Sequence, residues 1–243
     1  MFFRFTGFPA FLAAMLAFGS CSVKEDRSDC PCRLTVEAGK GTVLSAWYGG
    51  QKILDNHSGG IVDRMVPRGI VEIVASEGRF CAEVGQQVDS LFAEHALVDT
   101  DGETAGHSVN LQKSFATIGL DFKDKEEGRI DYVLLVTGTV SGVDCRTLEP
   151  VDGLFRCSPE VLEDGRGYRF RVPRQRDDSL TLVLSEKGET VDTIPLGVLI
   201  RKTGFDWTQG SLGDVAVVAD LPASTFEVTV MAWDGPVTMT VMI

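Results

Sequence analysis

The residue with the most distinctive chemistry in this sequence is Cys21, which follows an apolar run near the amino terminus. Gly19 and Ser20 precede it, and the first 18 residues carry one positive charge, Arg4, and no acid. This is the layout of a secretory signal with a small-residue cleavage site, and a thiol at that point is the substrate pattern of bacterial lipoprotein maturation. The sequence therefore predicts a lipoprotein signal peptide over residues 1–20 and acylation of Cys21. An ordinary cleaved signal with an incidental cysteine and an uncleaved membrane anchor are the alternatives.

Residues 21–32 connect this signal to the rest of the chain and are predicted to form a lipidated flexible tether. Their segment SVKEDRSD is short, polar and of mixed charge, so it has too little apolar surface to order itself. Two or more acyl chains give stable membrane anchoring, whereas one chain binds reversibly. Thr6, Gly7 and Pro9 interrupt the leader before it reaches the roughly 20 apolar residues of a spanning helix. We expect a mature chain that is anchored to a membrane without spanning it.

Five further cysteines would reach an oxidising export compartment: Cys30, Cys32, Cys81, Cys145 and Cys157. Because five is an odd number, at least one thiol stays unpaired. Cys145 and Cys157 flank the segment LEPVDG, which has the composition of a hairpin turn, and they are the candidate disulfide. Redox and zinc sites normally have two residues between their cysteines, whereas Cys30 and Cys32 have one. The plainer interpretation is that one of these two pairs with Cys81 or that both are free.

Signals for catalysis and for metal binding are weak. The three histidines stand on separate segments, and no G-x-S-x-G, H-E-x-x-H or glycine-rich nucleotide motif occurs. Residues 99–103 (DTDGE) begin like a calcium loop, but the third spaced carboxylate and the distal glutamate are missing. We therefore predict a non-catalytic protein with no metal, no cofactor and a solvated turn at residues 99–103.

Aromatic and charged residues narrow the classes of partner. Trp47, Trp207 and Trp233 could each stack on a sugar, although core or rim positions are the commoner role for such residues. The formal net charge is −12. Nucleic acids and anionic lipid surfaces attract basic patches, so this charge argues against both as partners.

The remaining pattern is that of short strands joined by turns. Alternating or β-branched segments predict strands at residues 33–38, 42–48, 70–75, 116–122, 130–140, 168–172, 179–185, 214–219, 225–233 and 237–243, with a further strand ending at Val66. Residues 88–96 place apolar side chains at helical spacing and predict one short amphipathic helix. With no helices to cover a parallel sheet, we predict an all-β fold of two tandem β-sandwiches, over residues 33–112 and 113–243.

The last predicted strand has one apolar face, formed by Val237, Met239, Val241 and Ile243. We expect that face to be covered. The strand could pair with residues 225–233 as a hairpin, or it could be donated to a neighbouring subunit. The turn Asp234-Gly235-Pro236 is short, which favours the hairpin.

Several segments, taken in order, resemble the FimB-like anchor family (minor fimbrillins) of Bacteroidota fimbriae. They are KEDRSDCPCRLTV, VPRG before an apolar strand, DSLFAEHALVDTDGE leading into LQKSFATIGLDF, and IPLG followed by DW and a terminal strand. The resemblance covers essentially the whole mature chain. It implies a lipoprotein of two transthyretin-like β-sandwiches that roots a fimbrium in the outer membrane through Cys21, at the cell surface, with fimbrial structural subunits as partners.

The alternative is a stand-alone surface lipoprotein that binds a host or dietary glycan or protein. An open sheet edge would favour the anchor, because such an edge can accept another strand. An exposed aromatic patch that holds two of the tryptophans would favour the ligand-binding protein.

Overall fold

The computed structural model describes residues 30–80, 86–123, 132–163, 167–221, 223–232 and 235–242. The predicted signal peptide, Cys21 and Cys81 lie outside these ranges, so the statements about them stay predictions. Within the described ranges, no helix has the length and the apolar character that crossing a membrane would require.

The described residues form an all-β fold, as predicted. The N-terminal half (residues 30–113) contains β1 (Cys32–Tyr48), β2 (Gln51–Val66), β3 (Ile70–Glu77), β4 (Phe92–Asp99), β5 (Thr104–Ser108) and β6 (Gln112–Lys113). The C-terminal half (residues 114–242) begins with β7 (Phe115–Phe122), β8 (Val133–Val143), β9 (Pro150–Cys157), β10 (Glu160–Val161), β11 (Gly167–Pro173), β12 (Thr181–Glu186) and β13 (Glu189–Ile194). It continues with α1 (Leu196–Lys202), β14 (Val215–Asp220), β15 (Thr225–Ala232) and β16 (Gly235–Met242).

The N-terminal half is one hydrogen-bonded sheet folded over on itself. Its order is β2-β1-β3-β4-β6, and β5 pairs in parallel with the first part of β1. The first part of β1 carries Leu34 and Val36, and the second part carries Leu44 and Ala46, and all four lie in one apolar cluster. The two parts of β1 thus supply opposite layers of the same core.

Glycines allow the sheet to fold over. The sequence predicts separate strands on either side of Gly39-Lys40-Gly41, but the structure has one strand whose register with β2 slips between Ala38 and Val43. Gly41 has a φ of +92°, a conformation that favours glycine. A Cβ atom on Gly59 would lie 1.9 Å from the carbonyl oxygen of Gly39. The two strands therefore cross too closely at the bend for any side chain at Gly59.

The C-terminal half is a sandwich of two sheets of unequal width. Six strands form one sheet in the order β10-β11-β7-β14-β15-β16, and four form the other in the order β13-β12-β8-β9. Strands β7, β11 and β14 alternate buried and more exposed residues, as expected for strands with one face on a core. The shared core includes Ile118, Phe170, Leu182 and Val217, each 1% exposed or less.

The division of the chain between sheets falls after β6. Strands β1 to β6 belong to the first sheet, β6 ends at Lys113, and every later strand belongs to the other two sheets. The predicted domain boundary between residues 112 and 113 stays a prediction, and it falls within β6 (Gln112–Lys113). That each half folds by itself stays a prediction.

The helix predicted over residues 88–96 is wrong. Phe92–Asp99 form β4, which pairs along its whole length with β3. The apolar residues of this segment pack into two different clusters, so their helical spacing does not mark one face of a helix. Val88 packs in the C-terminal core, whereas Leu91 and Ala93 pack with Val143. A period of 3.6 over so short a segment is weak support for a helix.

The predicted disulfide is also wrong in this fold. Cys145 lies in the turn after β8, and Cys157 ends β9 opposite Val136. Val143 and Pro150 pair at the turn end of this hairpin, so roughly 20 Å of strand separates the two cysteines. A disulfide requires Cα atoms within about 7 Å of each other. Both cysteines are free thiols at opposite ends of a long hairpin.

We predict that iodoacetamide labels Cys145 in the folded protein and labels Cys157 only after denaturation. Cys145 is exposed, whereas Cys157 is 1% exposed and burial raises its thiol pKa to about 12. Little of the reactive thiolate is then present at neutral pH. Mass spectrometry of peptides prepared without reducing agent measures both positions, and the guanidinium-denatured protein is the control. Recovery of a peptide pair linked through Cys145 and Cys157 would contradict the prediction.

Candidate functional site

The last strand, β16, forms an open edge of the six-stranded sheet. It pairs antiparallel with β15, from Thr225 opposite Met242 to Ala232 opposite Gly235. The predicted hairpin is thereby confirmed. Over the ranges that the structure describes, no strand lies on the other side of β16. Its outward N–H and C=O groups are a template for a further strand.

The inner face of this edge is only partly covered. The three inner-face residues of β15 are at most 4% exposed: Phe226, Val228 and Val230. On β16, Val241 is 6% exposed, whereas Met239 and Val237 are 39% and 43% exposed. We expected all of this face to be buried, and only its Val241 end is. The apolar face of the sheet therefore continues beyond the covered core.

The opposite layer explains why coverage stops there. The four-stranded sheet is two strands narrower than its partner, and α1 extends it by packing against β12 and β15. The buried side of α1 includes Leu196, Leu199 and Ile200. Among the described residues, this layer covers β15 but leaves most of β16 without a facing partner. An added strand could pair with the backbone of β16 while placing apolar side chains beside Met239 and Val237.

The tryptophans do not form an exposed aromatic patch in the part of the chain that the structure describes. Trp207 is 8% exposed and packs edge-on against Phe205, with ring centroids 4.7 Å apart. Trp47 is half-buried and contacts two cations, with Lys52 Nζ at 5.3 Å and the Arg146 guanidinium at 5.4 Å from its ring centroid. Trp233 lies outside the described residues. The exposed patch that would favour the ligand-binding alternative is therefore not formed by Trp47 and Trp207.

The segment that resembles the start of a calcium loop is a turn held by hydrogen bonds of the Asp99, Thr100 and Arg68 side chains. The Asp99 carboxylate accepts a hydrogen bond from the Asp101 N–H at 2.9 Å. The Asp101 carbonyl in turn accepts one from the Arg68 guanidinium at 2.8 Å. Thr100 is fully buried, and its hydroxyl bonds to the carbonyls of Pro67 and Gly69. The segment thus joins β4 to the turn before β3.

The two halves are joined by an ion pair on the outer face of the N-terminal sheet. The turn after β8 projects Arg146 onto β3, where its Nε donates to the two Glu72 oxygens at 2.8 and 3.0 Å. His95 Nε2 lies 3.1 Å from the same carboxylate. The hydrogen bonds from Arg146 hold the pKa of Glu72 below its ordinary value, although partial burial opposes them. Together with the Trp47 contact, this cluster fixes one half against the other.

The turn that carries Arg146 is itself organised by Asp144. Its Oδ1 accepts hydrogen bonds from the N–H groups of Thr147 and Arg146, at 2.8 and 2.9 Å. These bonds, the one from Thr147 first, lower the pKa of Asp144. Leu148 follows with a φ of +59°. A rigid turn therefore presents the guanidinium to Glu72.

Comparison with solved structures identifies proteins of the same fold. A protein from Bacteroides thetaiotaomicron, described as a candidate polysaccharide-binding protein, matches at a TM-score of 0.59 and 15% identity, over 87% of this chain and 98% of the other. A candidate adhesin from Bacteroides ovatus matches at 0.54 and 12% identity, over 86% and 95%. A second candidate adhesin from B. thetaiotaomicron matches at 0.55 and 11% identity, over 86% and 98%.

These matches show that the chain shares its fold with the three proteins over 95–98% of their length. They do not show a shared function, because the identities are 15% or less. No family model matches the chain, and no curated protein matches it by sequence.

We predict that the Glu72–Arg146 pair stabilises the protein at neutral pH and that this contribution is lost in acid. Because the pKa of Glu72 is lower in the folded protein than its ordinary value of 4.5, the contribution is complete above that value. It disappears as the pH falls through the lowered pKa. Glu72→Gln should therefore lower Tm by a few degrees at pH 7 and by progressively less below pH 4.5.

Thermal unfolding of the two proteins from pH 7 to pH 3 measures the difference. Glu189→Gln, on the exposed face of β13, is the matched control and should leave Tm unchanged at every pH. A deficit of Glu72→Gln that stays constant over the whole range would disprove the assignment.

Proposed function

We propose that this protein is a lipid-anchored accessory subunit of a surface fimbrium, and that it serves as a structural anchor without catalysis. The observation that carries the proposal is the open β16 edge, where a backbone without a second neighbouring strand in the described chain coincides with two half-exposed apolar residues. Edge strands of monomeric proteins are usually short, charged or covered. On β16, Val237 and Met239 face the uncovered side instead, as expected for a strand that acquires a partner.

The fold and the sequence give independent support. Two of the structural relatives are candidate adhesins of Bacteroides, and the ordered segments of the sequence resemble the FimB-like anchor family. The observed setting of Trp47 and Trp207 favours this function over a carbohydrate-stacking surface. The net charge of −12 is consistent with a protein partner.

In this proposal the two ends of the protein have different tasks. Cys21, acylated and placed in the outer membrane, holds the chain through the tether that leads into β1. A strand of a fimbrial structural subunit would pair with β16 and bury Met239 and Val237. The Glu72–Arg146 contact would keep these two attachment points in a fixed relation.

Membrane attachment is tested by Cys21→Ala, expressed in the native cells. We expect the variant to be released from the membrane fraction and to incorporate no labelled palmitate, because no other acylation site is proposed. Cys30→Ala is the matched control, since Cys30 is also an exposed thiol of the same region, and it should stay in the membrane. A Cys21→Ala protein that still partitions with membranes would place the anchor elsewhere.

The docking edge is tested by Met239→Lys. We expect the variant to fold normally and to bind the fimbrial subunit at least about tenfold more weakly, because the interface would bury a charge where a methionine belonged. Thr240→Lys is the matched control, since Thr240 lies on the opposite face, across from Glu227.

Co-purification of fimbrial subunits from detergent-solubilised outer membranes, compared at equal amounts of the two variants, provides the measurement. Equal recovery with both lysine variants would show that β16 is not the docking edge.

A further inference from the structure

The chain enters the N-terminal half at one end of its folded sheet, which we call the tether end. The Cys30 carbonyl accepts a hydrogen bond from Arg68 Nε at 2.8 Å, and Arg68 Nη1 donates to the Asp101 carbonyl at 2.8 Å. Tyr48 Oη donates to the Arg68 carbonyl at 2.7 Å. The tether end therefore brings together the chain entry and the three turns β1–β2, β2–β3 and β4–β5.

The tether end lies within a short chain length of the proposed lipid. Cys21 and Cys30 are nine residues apart in sequence. Whatever its conformation, the chain between them spans at most roughly 30 Å. The inference below rests on the proposed acylation of Cys21. Given that anchor, the tether end is the first part of the described chain to be brought near the membrane.

Each of the four strands that meet at the tether end carries an apolar residue within three residues of its terminus there. They are Trp47 on β1, Met65 on β2, Ile70 on β3 and Leu97 on β4, and we call them the apolar collar. Ile70, Met65 and Leu97 are 53%, 57% and 66% exposed, and Trp47 is half-buried. The solvated face of an antiparallel sheet is usually polar, so apolar residues clustered at one end indicate a contact surface.

The apolar collar surrounds the tether end instead of forming one flat patch. Trp47 and Leu97 are the cross-strand partners of Glu72 on either side, and Ile70 precedes Glu72 by two residues on the same strand. These three residues therefore share one face of the sheet. Met65 pairs with Arg33, in the opposite layer of the fold. A flat partner that approached the tether end along the strands could meet both layers at once.

The backbone of the β2–β3 turn is prepared for a surroundings with little water. Thr100 Oγ1 donates to the carbonyls of Pro67 and Gly69, at 2.9 and 3.0 Å. Tyr48 Oη donates to the carbonyl between them, that of Arg68. Backbone groups without a partner are costly where water is scarce. All three carbonyls of this turn are satisfied inside the protein, so the apolar collar can leave water without stranding them.

The charges at the tether end favour an uncharged lipid surface. Acids and bases are mixed there, with Asp99, Asp101 and Glu103 beside Lys52 and Arg68. Anionic lipid attracts clusters of bases, which this mixture does not provide. Lys52 Nζ lies 5.3 Å from the centroid of the neighbouring collar tryptophan. Tryptophan and lysine together suit the boundary between headgroups and acyl chains, where the ring is partly buried and the ammonium reaches water.

We propose that the tether end docks on the bilayer that holds Cys21, with the apolar collar among neutral, zwitterionic headgroups. Acyl chains on a tether hold a protein near a membrane but do not orient it, whereas a second contact does. A small contact is sufficient, because the tether makes docking an intramolecular step at high effective concentration. The contact does not involve β16, so the docking edge stays available to a fimbrial subunit.

Methionine oxidation by the water-soluble reagent chloramine-T tests the docking. The acylated full chain is purified from native membranes and reconstituted into phosphatidylcholine vesicles. We expect Met65 to be oxidised at least about fivefold more slowly than in Cys21→Ala mixed with the same vesicles, because lipid would shield its thioether. Met231 on β15 is the internal control, since it is 53% exposed against 57% for Met65, and it should react equally in both samples.

A double variant tests the apolar collar itself. Ile70→Gln with Leu97→Gln removes two apolar contacts without adding a charge. We expect it to stay on the vesicles through its acyl chains and to lose the protection of Met65, with an unchanged Tm. Val133→Gln with Leu154→Gln is the matched control, because Val133 and Leu154 are 67% and 62% exposed and lie on β8 and β9. It should keep the protection.

Flotation of the vesicles separates this inference from the proposed acylation. A wild-type protein that does not float with the vesicles would overturn the lipid anchor and the docking together. A protein that floats, but whose Met65 reacts as fast as in Cys21→Ala, would overturn the docking alone. Equal protection in the two double variants would overturn the role of the apolar collar. Protection found only on vesicles that contain phosphatidylglycerol would overturn the assignment to neutral lipid.

Discussion

Two sheets of unequal width share the core of the C-terminal half, and much of the molecule is arranged around that mismatch. Six strands face four, so the narrower layer cannot cover the wider one without help. Helix α1 provides part of the missing cover by packing against β12 and β15. No comparable element in the described chain covers β16, and the apolar residues at its start are left half-exposed. The open edge is thus a consequence of how the core is closed.

The contact between the two halves includes charged groups, unlike the apolar core inside the C-terminal half. An apolar core cannot shift without opening cavities, whereas an ion pair on a sheet surface can break when its charges change. Arg146, presented by the turn that Asp144 organises, meets Glu72 and the ring of Trp47 at such a surface. The halves are therefore joined both by polar contacts and by apolar ones, in which Val88 enters the C-terminal core and Leu91 and Ala93 pack with Val143.

Some of this architecture could be predicted from the sequence, and the reasons differ by element. Strands such as β7 and β14 were predictable because one buried face imposes alternation. The β15–β16 hairpin was predictable from its short turn. In contrast, β13 has five exposed residues out of six, and β9 also lies at an edge of its sheet. The exposed β13 offers no alternation to find, and in β9 the exposed Leu154 beside the buried Phe155 hides the alternation. The sequence predicts a helix at β4 because its flanking residues enter separate contacts.

The candidate sites were less accessible to sequence reasoning than the strands. The sequence shows that Val237 and Met239 lie on an apolar face. Their exposure depends on the width of the facing four-stranded sheet, which forms from other parts of the chain. A cleft of about 980 Å³ between the halves is lined by residues from Ala93 to Gly210, which no local pattern connects. Cys21, in contrast, could be predicted from the sequence, because its proposed acylation depends only on the residues next to it.

The direction of β1 has a mechanical consequence if the proposed acylation of Cys21 holds the chain at a membrane. The first part of β1 begins at Cys32 and is flanked by β2 on one side and β5 on the other. Interstrand hydrogen bonds run across the strand direction, and in an antiparallel pair they are perpendicular to it. A pull on the tether along β1 would therefore load these bonds together, in shear, instead of opening them one at a time. Tension from the membrane side would thus meet the N-terminal half in a direction in which a sheet resists extension.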